Sequence, residues 1–511
     1  MTRMGNRWNY MKPDLMMHKE ADGQRSWLHR YLGWVATRPD AIAFQTYDGG
    51  VSYRGFHERV LRYAREFSLL QKGTIGVMAT GSVEMNACIL ASFLTGKTIV
   101  PLHPEWPLDR KVFALQESKA ELLVSPDNIP FPKEISALEL RIICSEALTH
   151  EGGQFEFSFF EASSSEIPAY ILFTSGSTGK PKGVPVPFRC LNAFKAYYLD
   201  DQRYGFSSSD RLLQVYDATF DVFYFPFLIA LETGATCCLL PQKKQIRSLL
   251  ILEALLHYNI TVLSMVPTVL QVVKGLIKGM SFPALRLSFF SGDILYRSLA
   301  EIWEKACSNA VIYNCYGPTE TTIVCTTFCW NEEKANTDHP IVPMGAPFPG
   351  TTVAVMMEEA PCGAGETGEL YISGSQVFNG YLGQESSCVV DGWFPSGDLV
   401  HQDERGFLHF HGRKDFQVKI GGYRVETEEV AVRISELLQQ EVVVVAQRDH
   451  EHNNILVAFV RSKVPIDTTS LASRLRDLLP GYMIPGKYRF VEEWPYNNNG
   501  KIDRQKLIAL G

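Results

Sequence analysis

The sequence predicts an α/β chain: a large N-terminal domain of helix-covered parallel or mixed β-sheets, followed by a small, mobile α+β domain. Three observations carry this expectation. Over the first part of the chain, short β-rich apolar runs alternate with longer stretches of helical spacing. After GFLHFHGRKD (406–415) that alternation stops, and two β-rich runs face each other across a polar turn. The length, 511 residues with 46% hydrophobic, exceeds what a single core organises.

The elements follow in order. TIGVMAT (74–80) reads as a strand. Val83–Leu94 has apolar residues at helical spacing, and TIVPL (98–102) is the next strand. AYILF (169–173), TVLSMV (261–266) and VIYNC (311–315) continue the scheme. Strand–helix–strand repetition implies parallel sheets with helices on their faces, and ligands in such sheets lie at the carboxyl ends of strands. Beyond residue 415, EVVVVAQ (441–447) and ILVAFVR (455–461) predict an antiparallel pair around the polar turn at 450–454. SLASRLRDLL (470–479) predicts an amphipathic helix.

Composition narrows the function classes. The net charge is −7 and the pI near 6.0, so no dominant basic field points to nucleic acid. No apolar run reaches the roughly 18 residues that a membrane span requires. The start, MTRMGNRWNYMKPDLMMHKE, lacks the apolar core of a signal peptide. Eleven cysteines without a C-x-x-C pair predict reduced thiols and a cytoplasmic location. Cys325 and Cys329 stand without a supporting histidine cluster and read as packing residues.

The strand AYILF runs into FTSGSTGKPKGVP (173–185). This is not a P-loop. Thr174 stands where the first Gly of G-x-x-x-x-G-K-[ST] belongs, and Pro181 follows Lys180 in place of the hydroxyl. Phosphate binding here therefore needs another geometry. Four further stretches stand out: YGPTETT (316–322); SGD (396–398), read as the end of an aromatic-flanked turn, WFPSGD; GRKDFQVKIGGYRVE (412–426); and NNNGKIDR (497–504). Each alone has a plain structural reading. Gly-Pro-Thr is a turn, an Asp-Arg pair is a weak surface ion pair, and Asn-Gly-Lys is a hairpin turn.

Taken together, in this order and spacing, these stretches resemble the adenylate-forming superfamily. That superfamily holds acyl-CoA synthetases, luciferases, peptide-synthetase adenylation domains and D-alanine–D-alanyl carrier protein ligases. LHPEWPLDR (102–110) and LPGYMIP (479–485) add to the resemblance, which runs from about Trp27 to the end. It implies two half-reactions. ATP and a carboxylate give an acyl-adenylate and pyrophosphate, and a thiol then takes the acyl group. Catalysis of this kind is mainly positioning and charge neutralisation.

The resemblance also implies roles. Thr174, Ser175, Ser177 and Thr178 would offer hydroxyls to the β- and γ-phosphates, with Gly176 and Gly179 allowing close approach and Lys180 and Lys182 supplying charge. Thr319 would donate to the α-phosphate and Glu320 would ligate Mg²⁺. Tyr316 would stack on adenine and Asn314 contact its edge. Asp398 would accept from both ribose hydroxyls, and Arg413 would bind ribose or phosphate. Lys501 would bridge the substrate carboxylate and the α-phosphate. The large domain would span 1–413 and the small domain 415–511, with the hinge at Lys414 and Asp415. Gly422 would lie where a side chain obstructs the thiol. Gly421 departs from the Arg common among adenylation domains.

YDATFDVFYFPFLIALETGAT (216–236) matches the acyl-pocket stretch without a gap. Asp221 stands where amino-acid-activating members pair a carboxylate with the α-ammonium; a capped Asp in a turn is the structural alternative. The remaining pocket positions are Val222, Phe225, Ser264, Phe289, Ser291, Cys315, Ile323 and Val324. The two Phe rings would either fill the cavity, leaving space for a small side chain, or flank an aromatic substrate. The expectation is a small or modest apolar amino acid, with alanine of either hand as the named candidate. The chain ends ten residues after Lys501, which predicts a stand-alone ligase loading a separate phosphopantetheinylated carrier protein rather than coenzyme A. Two alternatives stand beside it: a coenzyme A ligase for a non-amino carboxylate, and a nucleotide-binding regulatory protein without activity. The second is disfavoured by the joint presence of Thr319, Glu320, Asp398 and Lys501.

Overall fold

Every strand anticipated in the first part of the chain is present, and its neighbours explain why. The computed structural model describes residues 27–510 apart from 71–72, 132, 137, 139, 149–165, 177–179, 242–246, 335–338, 359, 385–387, 450–452, 463–465 and 497–501. Thr74–Met78 and Thr98–Leu102 pair in parallel, joined by the helix Val83–Leu94. Ser82 starts that helix by accepting a hydrogen bond from the Met85 N–H. Residues 85–94 are all buried, so beyond its first turn the helix is covered on every face, with Asn86 and Ser92 its buried polar residues. The same six-stranded sheet carries Leu122–Ser125 and Arg141–Cys144 on one side. On the other it carries Pro168–Thr174 and an antiparallel edge strand, Lys182–Pro187.

The second sheet has nine strands. Its centre is parallel: Val311–Tyr316, Leu287–Phe290, Val262–Met265 and Arg211–Gln214 lie side by side. The register aligns Ser264 with Phe289 and Phe289 with Tyr313. Side chains alternate along a strand, so Ser264, Phe289, Tyr313 and Cys315 share one face. Asn314 points to the other.

A five-stranded antiparallel sheet, Thr351–Met357 to Leu408–Arg413, was not anticipated. It corrects one expectation. WFPSGD is not a turn but the first part of the ten-residue strand Trp393–Gln402. Its Pro and Gly suggest a turn, yet here they form a bulge: pairing jumps from Tyr371↔Pro395 to Glu369↔Leu399. Burial alternates along the strand, and Asp398 falls on the buried side with Phe394, Ser396 and Val400.

The small domain has its own apolar clusters, one around Val430, Ile434, Val444 and Leu471, another around Val457, Phe459 and Trp494. Val442–Arg448 pairs antiparallel with Asn454–Arg461, as expected, and Lys487–Val491 adds a parallel third strand. The predicted 470–479 helix runs instead over Thr468–Arg476. Asp467 caps it by accepting from the N–H groups of Thr469 and Ser470, and it stops ahead of Pro480 and Gly481. Among the described residues, no helix is long and apolar enough to cross a membrane.

Candidate active site

Five of the stretches read from the sequence, those at 102–110, 173–185, 316–322, 396–398 and 412–426, contribute residues to one cleft of about 400 Å³ between the two domains; 497–501 of NNNGKIDR lie outside the described residues. The large domain contributes Thr174 and Ser175, Asp221 and Val222, Ser291, Tyr316, Thr319, Ile323, Asp398 and Arg413. The small domain contributes Lys419, Gly422, Tyr423 and Arg424, with Pro480–Tyr482 at the rim. His103 and Trp106, from LHPEWPLDR, line it from the opposite side.

The loop expected to bind phosphate follows the strand Pro168–Thr174. A Cβ on Gly176 would run into the carbonyl oxygen of Lys180, so only glycine lets the loop fold back on itself. Ser175 Oγ donates to the Arg424 carbonyl at 2.9 Å and accepts from the Glu426 N–H at 3.1 Å. The Gly176 N–H donates to Glu429 Oε2 at 3.3 Å, and Glu429 pairs with the buried Arg110 at 3.0 Å. Lys180 is exposed. Lys182 Nζ lies 5.2 Å from the Tyr381 ring centroid. Ser177, Thr178, Gly179 and Lys501 lie outside the described residues.

Thr319–Thr321 form a single helical turn after Gly317-Pro318. Glu320 is fully buried there. Both its oxygens lie 3.0 Å from Arg424 NH1, and the Tyr381 hydroxyl donates to Oε1 at 2.6 Å. Burial alone would raise its pKa. The Arg424 charge and the Tyr381 hydroxyl outweigh it and hold the carboxyl below the usual range. The next two residues, Thr322 (φ 62°) and Ile323 (φ 68°), are both β-branched and both left-handed. That conformation is strained for either. Gln376 clamps it: Nε2 lies within 3.2 Å of the carbonyls of Thr321, Thr322 and Val324, and the Gln376 carbonyl accepts from Thr322 Oγ1 at 2.8 Å. Sequence reasoning missed Gln376, Tyr381, Arg424 and Lys419. A lone Gln or Tyr carries no pattern, and the Arg424–Glu320 pair joins residues 104 positions apart.

Asp398 sits opposite. Its Oδ1 accepts from Arg413 NH1 and its Oδ2 from the Tyr316 hydroxyl, both at 2.6 Å. Lys419 faces Asp398 and Asp293, and burial pushes its ammonium pKa down while both carboxylates pull it back up. Asn314, expected at the adenine edge, does not line the cleft. Its amide donates to the carbonyls of Val342 and Pro343, because its strand position aims it at the other sheet face.

Asp221 opens the short turn Asp221–Phe223 and is 8% exposed. Among the described residues, no cation lies within ion-pair distance of its carboxylate. Burial pushes its pKa from 3.8 to about 6, with the Glu320 charge adding to the rise; the Thr319 hydroxyl, the Val222 N–H and the Lys419 ammonium pull against it. Of the other pocket positions, Val222, Ser291 and Ile323 line the cleft. Phe225, Ser264, Phe289, Cys315 and Val324 are buried behind that wall.

The five-stranded sheet ends at Arg413 and the hairpin Gln417–Ile420/Tyr423–Glu426 begins four residues on. Lys414 is exposed and pairs with Glu369 at 2.8 Å, while Asp415 pairs with Arg413 at 2.7 Å. Gly421 and Gly422 (φ 58° and 88°) make the two-residue turn of the hairpin, and a Cβ on Gly422 would stand 2.7 Å from Val266 Cγ1.

Comparison with known proteins places the chain in context. A family model described as "AMP-binding enzyme" matches residues 33–382, and one described as "AMP-binding enzyme C-terminal domain" matches 426–501. Bacitracin synthase 3 of Bacillus licheniformis is 30% identical over 492 residues, covering 93% of this chain and 7% of that protein. The chain spans 6% to 13% of the length of the curated relatives it matches. Among solved structures, o-succinylbenzoate CoA synthetase from Bacillus subtilis superposes with a TM-score of 0.82 at 21% identity, covering 95% of this chain and 98% of that one. An artificially fused adenylation–PCP di-domain from Klebsiella oxytoca gives 0.78 at 22%, covering 91% and 93%. At these identities the structures show a shared fold.

Proposed function

The chain belongs to the AMP-binding enzymes, ATP-dependent adenylate-forming ligases, in their peptide-synthetase adenylation type, and from that premise we propose that it activates an α-amino acid and passes it to the phosphopantetheine thiol of a carrier protein. The observation that carries this reading is Asp221. A buried carboxylate without a cation costs several kcal/mol, and an α-ammonium supplies the missing charge at the cleft wall. A fatty or aryl acid leaves that charge unmatched.

The residues present fit ATP and Mg²⁺. Glu320 is an ionised, buried carboxylate beside the phosphate loop, the oxygen donor that Mg²⁺ takes together with phosphate oxygens. Mg²⁺ bound there would screen phosphate charge. The loop N–H of Gly176 and the hydroxyls of Thr174, Ser175 and Thr319 orient the triphosphate. Asp398 holds the ribose, and Tyr316 and Arg413 hold Asp398. Lys501, from NNNGKIDR, brings its ammonium to the developing charge when the small domain is suitably turned. The hinge in this reading is Lys414–Asp415, between domains 1–413 and 415–511. Its support is the break between the strand ending at Arg413 and the hairpin starting at Gln417. The carrier as acceptor is supported by the likeness to a fused adenylation–carrier protein.

ATP–pyrophosphate exchange across a panel of amino acids tests the reading. One amino acid is expected to support exchange, and Asp221→Ala lowers its kcat/KM by about a hundredfold, the loss of a buried charge partner. The holo-carrier is then aminoacylated faster than coenzyme A. Exchange with an aryl or fatty acid, unaffected by Asp221→Ala, would replace this reading with a coenzyme A ligase.

A further inference from the structure

The pocket positions behind the cleft wall are held shut by a residue that the pocket stretch does not include. Phe289 and Cys315 lie on one face of the nine-stranded sheet, with Ser264 beside Phe289 in register. Phe225 descends on that face from the helix Tyr224–Thr233, its ring 5.1 Å from that of Phe289. Between them stands Tyr198, near the end of the helix Phe188–Asp200 and 2% exposed. Its ring lies 4.9 Å from Phe225, and it meets Phe289 at 5.6 Å and 88°. Its hydroxyl ends 3.9 Å from Cys315 Sγ. Tyr198 thus touches three of the assigned pocket positions at once.

Three consequences follow. The space below Asp221 that would receive a substrate side chain is filled by protein rings, and the cleft wall there consists of Val222, Ser291 and Ile323. The two Phe rings turn their faces and edges to Tyr198, so they are not free to sandwich an aromatic substrate. The Tyr198 hydroxyl is buried, with a thiol as its recorded partner. Thiols are weak hydrogen-bonding groups, so the hydroxyl gains little there and the volume of the ring is what the site uses.

We propose that Tyr198 is a specificity-determining residue that sets the floor of the amino-acid pocket, so that the enzyme takes an α-amino acid with a side chain no larger than one or two heavy atoms. This rests on the amino-acid reading above and narrows it to glycine, alanine, serine and cysteine among common amino acids.

The test is the exchange profile of the full chain over glycine, alanine, serine, valine, leucine, methionine and phenylalanine. The wild-type enzyme prefers the small members. Tyr198→Ala raises the leucine-to-alanine or methionine-to-alanine ratio of kcat/KM about tenfold or more, the scale on which apolar pockets sort methylenes. Tyr198→Phe keeps the ring and keeps the wild-type ranking of sizes. A residue that merely packs would lower stability without moving these ratios, so melting temperature is measured alongside. The inference is overturned if a folded Tyr198→Ala enzyme shows unchanged ratios. It is equally overturned if the wild-type enzyme prefers leucine, methionine or phenylalanine, which needs no variant and holds even where Tyr198→Ala fails to fold. A wild-type enzyme that exchanges with no amino acid but with another carboxylate overturns the amino-acid reading itself. That outcome is distinct from amino-acid exchange with a preference for large side chains.

Discussion

At the scale of one residue, Asp221 makes the sharpest physical statement. Its pKa is raised from 3.8 to about 6, chiefly by burial. The folded protein therefore holds an extra proton between these values, and stability falls as pH rises through that window. Below about 3.8 both states are protonated and nothing is lost; above about 6 the whole penalty stands. The gap corresponds to about 3 kcal/mol. Asp221→Asn keeps an acceptor for the Thr319 hydroxyl and removes the charge. It is expected to melt a few degrees above wild type at pH 8, with the difference closing by pH 4. The cognate amino acid reverses the order: it raises the melting temperature of the wild type at pH 8 and leaves the Asn variant unmoved. A wild type that is the more stable at pH 8 without substrate would show that Asp221 already has a cation.

At the scale of the element, the turn after Tyr316 is the part whose shape is least local. Thr322 and Ile323 sit in a region that costs about 1–3 kcal/mol for each such residue, and they persist because Gln376 ties the carbonyls around them. Gln376→Ala leaves buried carbonyls without donors, about 1–3 kcal/mol, and lets the strained turn relax. The expected result is a lower melting temperature together with about a tenfold loss in ATP–pyrophosphate exchange, because Thr319 and Glu320 ride on that turn. A stability loss with full exchange would mean that the turn does not position them. This element also marks how far the sequence was legible. Strands such as Thr98–Leu102 were readable because burial on both faces makes a continuous apolar run. The five-stranded sheet was not: WFPSGD carries turn formers that here make a bulge. Asp398 and Tyr316 could be named because family motifs contain them. Gln376, Tyr381 and Tyr198 could not, since their roles come from partners distant in sequence. Asn314 was misplaced because its motif neighbour Tyr316 reaches the cleft from the strand end, while Asn314 spends its amide on Val342 and Pro343.

At the scale of the whole molecule, the two domains meet through the groups that the motifs assign to the triphosphate and its metal. Arg424 holds both oxygens of Glu320, the strand Tyr423–Glu426 holds Ser175, and Glu429 holds the Gly176 N–H. In the proposed reading, Arg424 and Glu429 thus occupy the groups that would take a metal ion and a phosphate. One set of groups cannot serve both partners, so triphosphate binding and this domain arrangement compete. Linkage makes the competition reciprocal: whatever factor the arrangement takes from Mg²⁺–pyrophosphate affinity, Mg²⁺–pyrophosphate takes from the arrangement. Arg424→Ala removes the single guanidinium nitrogen that both Glu320 oxygens share and, in this reading, leaves the carboxylate to the metal. Two results are expected: Mg²⁺–pyrophosphate binds about tenfold tighter, and exchange stays within about threefold of wild type. A pair of fluorophores, one on each domain, reports the population directly. In the wild type, Mg²⁺ with pyrophosphate shifts the distance between them, and chelating the metal restores it. In the variant the shifted distance predominates before any ligand is added. Unchanged pyrophosphate affinity and unchanged distance would mean that Arg424 and Glu320 are a structural pair.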